Sequence, residues 1–142
     1  MKILLAIDGS PSSKKAIAEV ARQPWPAQSE VHVITVEVPV AGSLIPEGIP
    51  GFEDLVQKQK GLSQQILEEA TLVLKANACD LKISTSIFEG RPKDIIVAEA
   101  ERLAADLIVV GSHGYGPIRS YFLGSISHYL VNNAPCSVLV VR

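Results

Sequence analysis

Short, fully apolar runs alternate along this chain with longer stretches whose apolar residues recur every three or four positions. Ile3-Leu4-Leu5-Ala6-Ile7 and Leu107-Ile108-Val109-Val110 contain no polar member, as a strand requires when helices cover both faces of its sheet. Val31–Val38 is rich in β-branched residues and predicts a further strand. Leu81, Ile83, Thr85 and Ile87 alternate with Lys82, Ser84 and Ser86, a period of two that suits an edge strand with one wetter face. Ser137–Val141 completes a set of five.

Helical spacing fills the intervals. Ala16, Ile17, Val20 and Ala21 form one stripe, with Ser12 as the expected cap and Pro24-Trp25-Pro26 as the stop. Leu55, Leu62, Ile66, Ala70, Val73 and Leu74 mark a long helix from Phe52 to about Ala76, weakened at Gly61. Gly90-Arg91-Pro92 opens a third helix that runs to about Ala104 and offers Ile95, Ile96 and Leu103 to the sheet, and Ser125–Asn133 reads as a fourth. Pro39–Gly51, studded with glycine and proline, reads as a mobile or ligand-covering loop. The order βαβαβαβαβ predicts an α/β fold: a single doubly wound, five-stranded parallel sheet with helices on both faces, forming one domain over residues 1–142. Ligands of such sheets bind beyond the carboxyl ends of the strands, where the strand order reverses.

Composition narrows the classes. A chain of 142 residues, 47% hydrophobic and 20% charged, can bury one core. A net charge of −2 gives no basic excess for nucleic acid or an anionic membrane. Asp8 stops the first apolar run far short of a signal-peptide core or a membrane span, so a cytoplasmic location is expected. Cys79 and Cys136 lack any metal-ligand or CxxC spacing and are expected to be reduced thiols.

The chemistry concentrates after Val110, in Gly111-Ser112-His113-Gly114 and on to Gly124-Ser125-Ile126-Ser127. Glycines let a ligand approach bare backbone, and a helix N-terminus attracts anions. From Leu107 to Arg142 there is no Asp or Glu to oppose a phosphate. Equally, the glycines could serve only a tight strand-to-helix turn, and the serines could cap the helix.

The spacing Gly111-x2-Gly114-x9-Gly124-Ser125 resembles the nucleotide-binding signature of the universal stress protein family. So do the strand ending in Asp8, the Gly90-Arg91-Pro92 turn and the closing Ala134-Pro135-Cys136-Ser137-Val138-Leu139-Val140-Val141, where Ser137 stands at a position often held by proline. The resemblance, to the ATP-binding subgroup, implies a cytoplasmic ATP-binding regulator of stress or signalling. Ala6, Ile7, Asp8 and Val36 would enclose the nucleoside, Val110 and Gly111 would border it, and Gly114, Gly124, Ser125, Ile126 and Ser127 would contact phosphates. Arg119 is a further candidate, and Asp8 could hold Mg2+ indirectly. The resemblance also implies a homodimer through Val138–Val141. No catalytic residue is expected: GxxxxGK[ST] and the kinase motifs are missing, so hydrolysis should be slow or absent. The alternative is a nucleotide-free dimeric protein of the same fold that binds a partner. A phosphoacceptor receiver would need an acidic pair after the first strand, where only Asp8 stands, and an Asp after the third, where Phe88-Glu89-Gly90 follows; a dinucleotide enzyme would need GxGxxG after the first strand.

Overall fold

In the computed structural model, which describes residues 1–39, 48–78, 80–114 and 123–142, five strands lie parallel in the order β3-β2-β1-β4-β5. They are β1 (Lys2–Ala6), β2 (Glu30–Glu37), β3 (Lys82–Glu89), β4 (Leu107–Gly111) and β5 (Ser137–Val141). The helices between them are α1 (Pro11–Arg22), α2 (Phe52–Asn77), α3 (Pro92–Leu103) and α4 (Ser125–Asn133). The expected doubly wound α/β sheet is therefore present, with β3 and β5 as its edges. The chain runs outward from β1 through β2 to β3, then crosses back to β4 on the other side of β1. The winding reverses at the pair β1–β4, which places the ligand-binding end of the fold at Asp8 and at the residues after Gly111.

Alternation along the strands divides the core in two. Ile3, Leu5, Val31, Val33 and Val109 pack with Ala16, Ile17 and Val20 of α1 and with Leu67, Ala70 and Leu74 of α2. Leu4, Ile34, Ile108 and Val110 face the opposite way, onto Ile96 and Ala100 of α3 and Leu130 of α4. All but the edge strands are thus covered on both sides, which explains the unbroken apolar runs of β1 and β4, whereas β2 carries His32 and Thr35 among its apolar residues.

Two expectations are corrected. Ser10, not Ser12, caps α1: its Oγ accepts from Ser13 N at 3.2 Å, and Pro11 takes the first helical position, where a missing N–H costs nothing. Asp8 sets this start, because its Oδ1 accepts from Ser10 N at 2.9 Å and turns the chain into the helix. Along β3, Leu81 and Ile83 pack against the α2 side as the alternation predicts, but Thr85 and Ile87 are exposed. Phe88, on the opposite face, packs instead against the α3 and α4 core. Of the α3 residues expected on the sheet, Ile96 is buried, whereas Ile95 and Leu103 are half-buried.

The α3 face also holds a half-buried histidine. His32 of β2 places Nδ1 2.7 Å from Ser84 Oγ and Nε2 3.4 Å from Glu99 Oε1, though Nε2 makes no hydrogen bond. Arg102 clasps Glu99 from the next turn of α3, with Nε 2.8 Å from Oε2. That hydrogen bond holds the Glu99 carboxyl below its ordinary range. Burial pushes the imidazole of His32 below its ordinary value; Glu99 pulls it up but does not prevail, and Arg102 adds to the lowering.

On acidification the unfolded chain takes up a proton at His32 before the folded one does, so stability is lost as pH falls from the unfolded value, near 6.5, toward the lower native one. Urea midpoints measured from pH 7 to pH 5 should fall more steeply for the wild type than for His32→Gln; a wild type that gained stability relative to the variant on acidification would show that attraction to Glu99 prevails. At Gly61 of α2 a methyl group in the Cβ position would have no neighbour within 4 Å. Gly61→Ala should accordingly raise unfolding stability by about 0.5–1 kcal/mol, readable from the same titration.

Candidate functional site

Ser112, the first residue after β4, ties β4, β5 and the start of α4 together at the carboxyl edge. Its N–H donates to Val141 O of β5 at 2.7 Å, and its carbonyl accepts from Gly124 N at 2.7 Å and from Ser127 Oγ at 3.0 Å. From the other side, Ser10 Oγ donates to His113 O at 3.3 Å. The two ends of the loop after β4 are thereby pinned to each other and to the first turn of α1. Ser10, Ser112 and Ser127 are all buried, which gives these bonds a low-dielectric setting.

The glycines now have separate reasons. A methyl group on Gly111 would stand 2.6 Å from Ser12 C and 2.8 Å from Ser13 N, so α1 sits directly against bare backbone at the end of β4. On Gly124 it would meet Ser112 O at 3.0 Å, and on Gly114 it would meet Asp8 Oδ2 at 2.8 Å. The first two are packing requirements of the loop base. Gly114 differs, for there the neighbour is a carboxylate oxygen at the strand end expected to border a ligand.

Helix starts complete the arrangement. Both α1 and α4 begin at this edge, each bringing the positive end of its dipole. The first turn of α1 is capped by Ser10. In contrast, α4 has Gly124 at its N-cap and no side-chain cap hydrogen bond, so its leading amides at Ser125, Ile126 and Ser127 have no hydroxyl or carboxylate of their own to cap them. No acidic residue occupies its first turn.

Most of the residues singled out from the sequence meet here, with different roles. Ala6, Val36 and Val110 all lie on the α3 and α4 side of the sheet, Val110 buried and the other two packed against that core. Ile7 is directed the other way, into the α1 and α2 core. Only its backbone stands at the edge, where its N–H is already donated to Ile34 O at 2.9 Å. Gly111 borders α1. Asp8 is exposed and uses Oδ1 for its turn, leaving Oδ2 toward Gly114. Ser125 is exposed and Ile126 packs against the α3 and α4 core. Ser127 directs its hydroxyl back to Ser112 O and Gly124 O, so its backbone rather than its side chain is available to a ligand. Arg119 lies outside the described residues, as do Cys79 and residues 40–47 of the Pro39–Gly51 loop. Cys136 is a free thiol, and burial raises its pKa above the ordinary value.

Sequence reasoning missed Ser10 and the carbonyl of Ser112. Ser10 carried a signal, a serine directly before a proline that can open a helix. Ser112 carried none, because it acts through its backbone.

Similarity to known proteins agrees with this geometry. The family model described as "Universal stress protein family" matches residues 1–142. The chain belongs to the universal stress protein family. A universal stress protein of Thermus aquaticus is 36% identical over 142 residues, covering 99% of this chain and 97% of the relative. Among solved structures, the universal stress protein UspA of Lactobacillus plantarum superposes with a TM-score of 0.83 at 23% identity, covering 100% of this chain and 97% of that one. A family protein of Arabidopsis thaliana solved with AMP bound gives 0.70 at 24% identity, with 99% and 90% covered. A universal stress protein solved in complex with cAMP gives 0.69 at 24%, with 100% and 96% covered. At these identities the superpositions show the shared α/β fold. No described helix is long and apolar enough to cross a membrane.

The contact at Gly111 yields a direct test of the loop base. Gly111→Ala must separate backbone from backbone, since Ser12 and Ser13 present main-chain atoms there. It should lower unfolding stability by about 1–3 kcal/mol in urea titrations, the usual range for overpacking. A change within about 0.5 kcal/mol would mean that α1 shifts freely.

Proposed function

We propose that this chain binds an adenine nucleotide, ATP with Mg2+, between Asp8, Val36 and the loop from Gly111 to Ser127, and acts as a nucleotide-dependent regulator in the cytoplasm. The observation that carries the reading is the start of α4: a glycine-capped helix with no acidic residue in its first turn, pinned at the switch point of the sheet. A phosphate chain supplies the acceptors that such a terminus lacks. The bound AMP and cAMP of the two family neighbours support the class of ligand. Ala6, Val36 and Val110 give a nucleoside an apolar border on one face of the sheet. Asp8 offers an oxygen to ribose hydroxyls or to water on a metal ion, since a carboxylate accepts from both.

Binding without rapid turnover fits the same residues. Mg2+, when bound with the nucleotide, would supply charge neutralisation for the phosphates. What the chain itself adds is orientation by backbone amides; it has no P-loop lysine to bridge the terminal phosphates. We therefore expect a holder of nucleotide, at most a slow ATPase. We also expect a homodimer through β5, whose outer edge carries Val138, Leu139, Val140 and Val141 and has no neighbouring strand among the described residues.

A charge placed at the helix start separates binding from folding. Ser125→Glu puts a carboxylate at the first position of α4, where the dipole favours it, but directly in the place proposed for phosphate. Isothermal titration with ATP and Mg2+ should show affinity reduced at least tenfold at an unchanged melting temperature. Full affinity in this variant would place the phosphates elsewhere, and no binding of ATP, ADP or AMP by the wild type would overturn the reading. Single-turnover hydrolysis faster than about one per second would overturn the expectation of a holder.

A further inference from the structure

On the α2 side of the sheet, away from the loop after β4, an open crevice of about 590 Å³ lies between α2 and the carboxyl ends of β2 and β3. Its wall includes Glu37, Glu89, Lys60, Gly61, Ile87 and Phe88. Three independent features of this wall run against local preference. Glu37 is only 8% exposed, yet its Oε1 has no hydrogen-bond partner, and a buried polar atom left unpaired is costly and rare. Gly61 interrupts the middle of a 26-residue helix although a methyl group there would meet nothing within 4 Å. Ile87 leaves 38% of its surface exposed at a strand position.

Each choice weakens the empty protein, and all three converge on one cavity. Such convergence is what a binding site looks like when local rules are broken for function. Gly61 keeps the space open, Glu37 supplies a dehydrated acceptor, and Ile87 supplies an apolar floor, while Phe88 borders the crevice only through its backbone because its ring lies in the opposite core.

We propose that this crevice is a binding site for a small organic monocation, an ammonium or amidinium group carried on an apolar body. Glu37 and Glu89 stand opposite each other in the β2–β3 register, so both carboxylates serve one end of the crevice. Among the described residues Lys60 makes no ion pair with either and leaves a net charge of one negative on the wall, which matches a single positive charge. No group of three or more His, Cys, Asp or Glu side chains comes together among the described residues, so the pair of carboxylates suits an organic cation better than a bare metal ion, which needs more oxygen ligands. The site is separate from the nucleotide cradle and does not rest on that reading.

Nuclear magnetic resonance titration of the full chain with phenethylammonium chloride tests it, with n-butylammonium chloride as a second cation and 2-phenylethanol as the uncharged control. Phenethylammonium should shift the amide signals of Gly61, Ile87, Phe88 and Glu89 saturably at millimolar concentration, and 2-phenylethanol should bind at least tenfold more weakly. Glu37→Gln should melt at a higher temperature than the wild type while losing at least tenfold in affinity for the cation. Gly61→Leu, which fills the crevice from an open helix position, should keep the fold and abolish the shifts. Saturation of neither cation, equal binding of the alcohol, or undiminished binding in Gly61→Leu would overturn the proposal.

Discussion

Gly111 is where β4 ends and where α1 begins to press on it, with no side chain between them. Because the winding of the sheet reverses beside this residue, the elements that must meet here come from both halves of the chain: Asp8 and Ser10 from the first, Ser112, Gly124 and Ser127 from the second. Their closeness depends on the missing Cβ. With it, α1 would be displaced by the better part of an ångström or more, and Ser10 Oγ, already 3.3 Å from His113 O, would be drawn out of reach. The loop base would then lose one of its two anchors. The same constraint orients the helix starts, so that two positive dipole ends share one edge of the sheet. Their difference in capping decides which is open to an anion. Ser10 closes α1, whereas Gly124 leaves α4 without a cap of its own.

The fold was legible because two of the inner strands, β1 and β4, announce burial without ambiguity. A parallel strand covered on both faces cannot alternate polar with apolar, and β1 and β4 do not. The edge strand β3 was legible as an edge, but not in which residues it buries. Alternation predicts Thr85 and Ile87 on one covered face; both are exposed, and a crevice opens between the end of β3 and α2. Covering depends on where a distant helix lies, which periodicity within one strand cannot report. The cap of α1 was missed by two residues for a local reason. Asp8 turns the chain early, and a proline can start a helix as readily as a serine can precede one.

Within the candidate site, spacing located the loop but could not apportion its glycines. Gly111 and Gly124 are explained by backbone neighbours, as a tight turn would require, and Gly114 by the carboxylate of Asp8. The turn reading therefore holds at Gly111 and Gly124, whereas Gly114 answers to a side chain. Ile7 shows a similar division: adjacent to Ala6 in sequence, it points through the sheet to the opposite core, because neighbouring strand residues alternate faces.

That alternation carries a further consequence at the end of β2. Val36 looks toward α3 and α4, on the side of the proposed nucleoside border, and Glu37 looks toward α2. On the first side the buried carboxylate of Glu99, carried by α3, is clasped by Arg102. On the second, Glu37 has one oxygen with no partner. Both carboxylates occupy the same fold at similar depth, so burial alone does not explain the difference. A carboxylate needed only for structure acquires a partner, as Glu99 has, because the unpaired state costs more than any contact returns. An unpaired one at the wall of an open crevice, beside a helix thinned to a glycine, has its missing partner in solution.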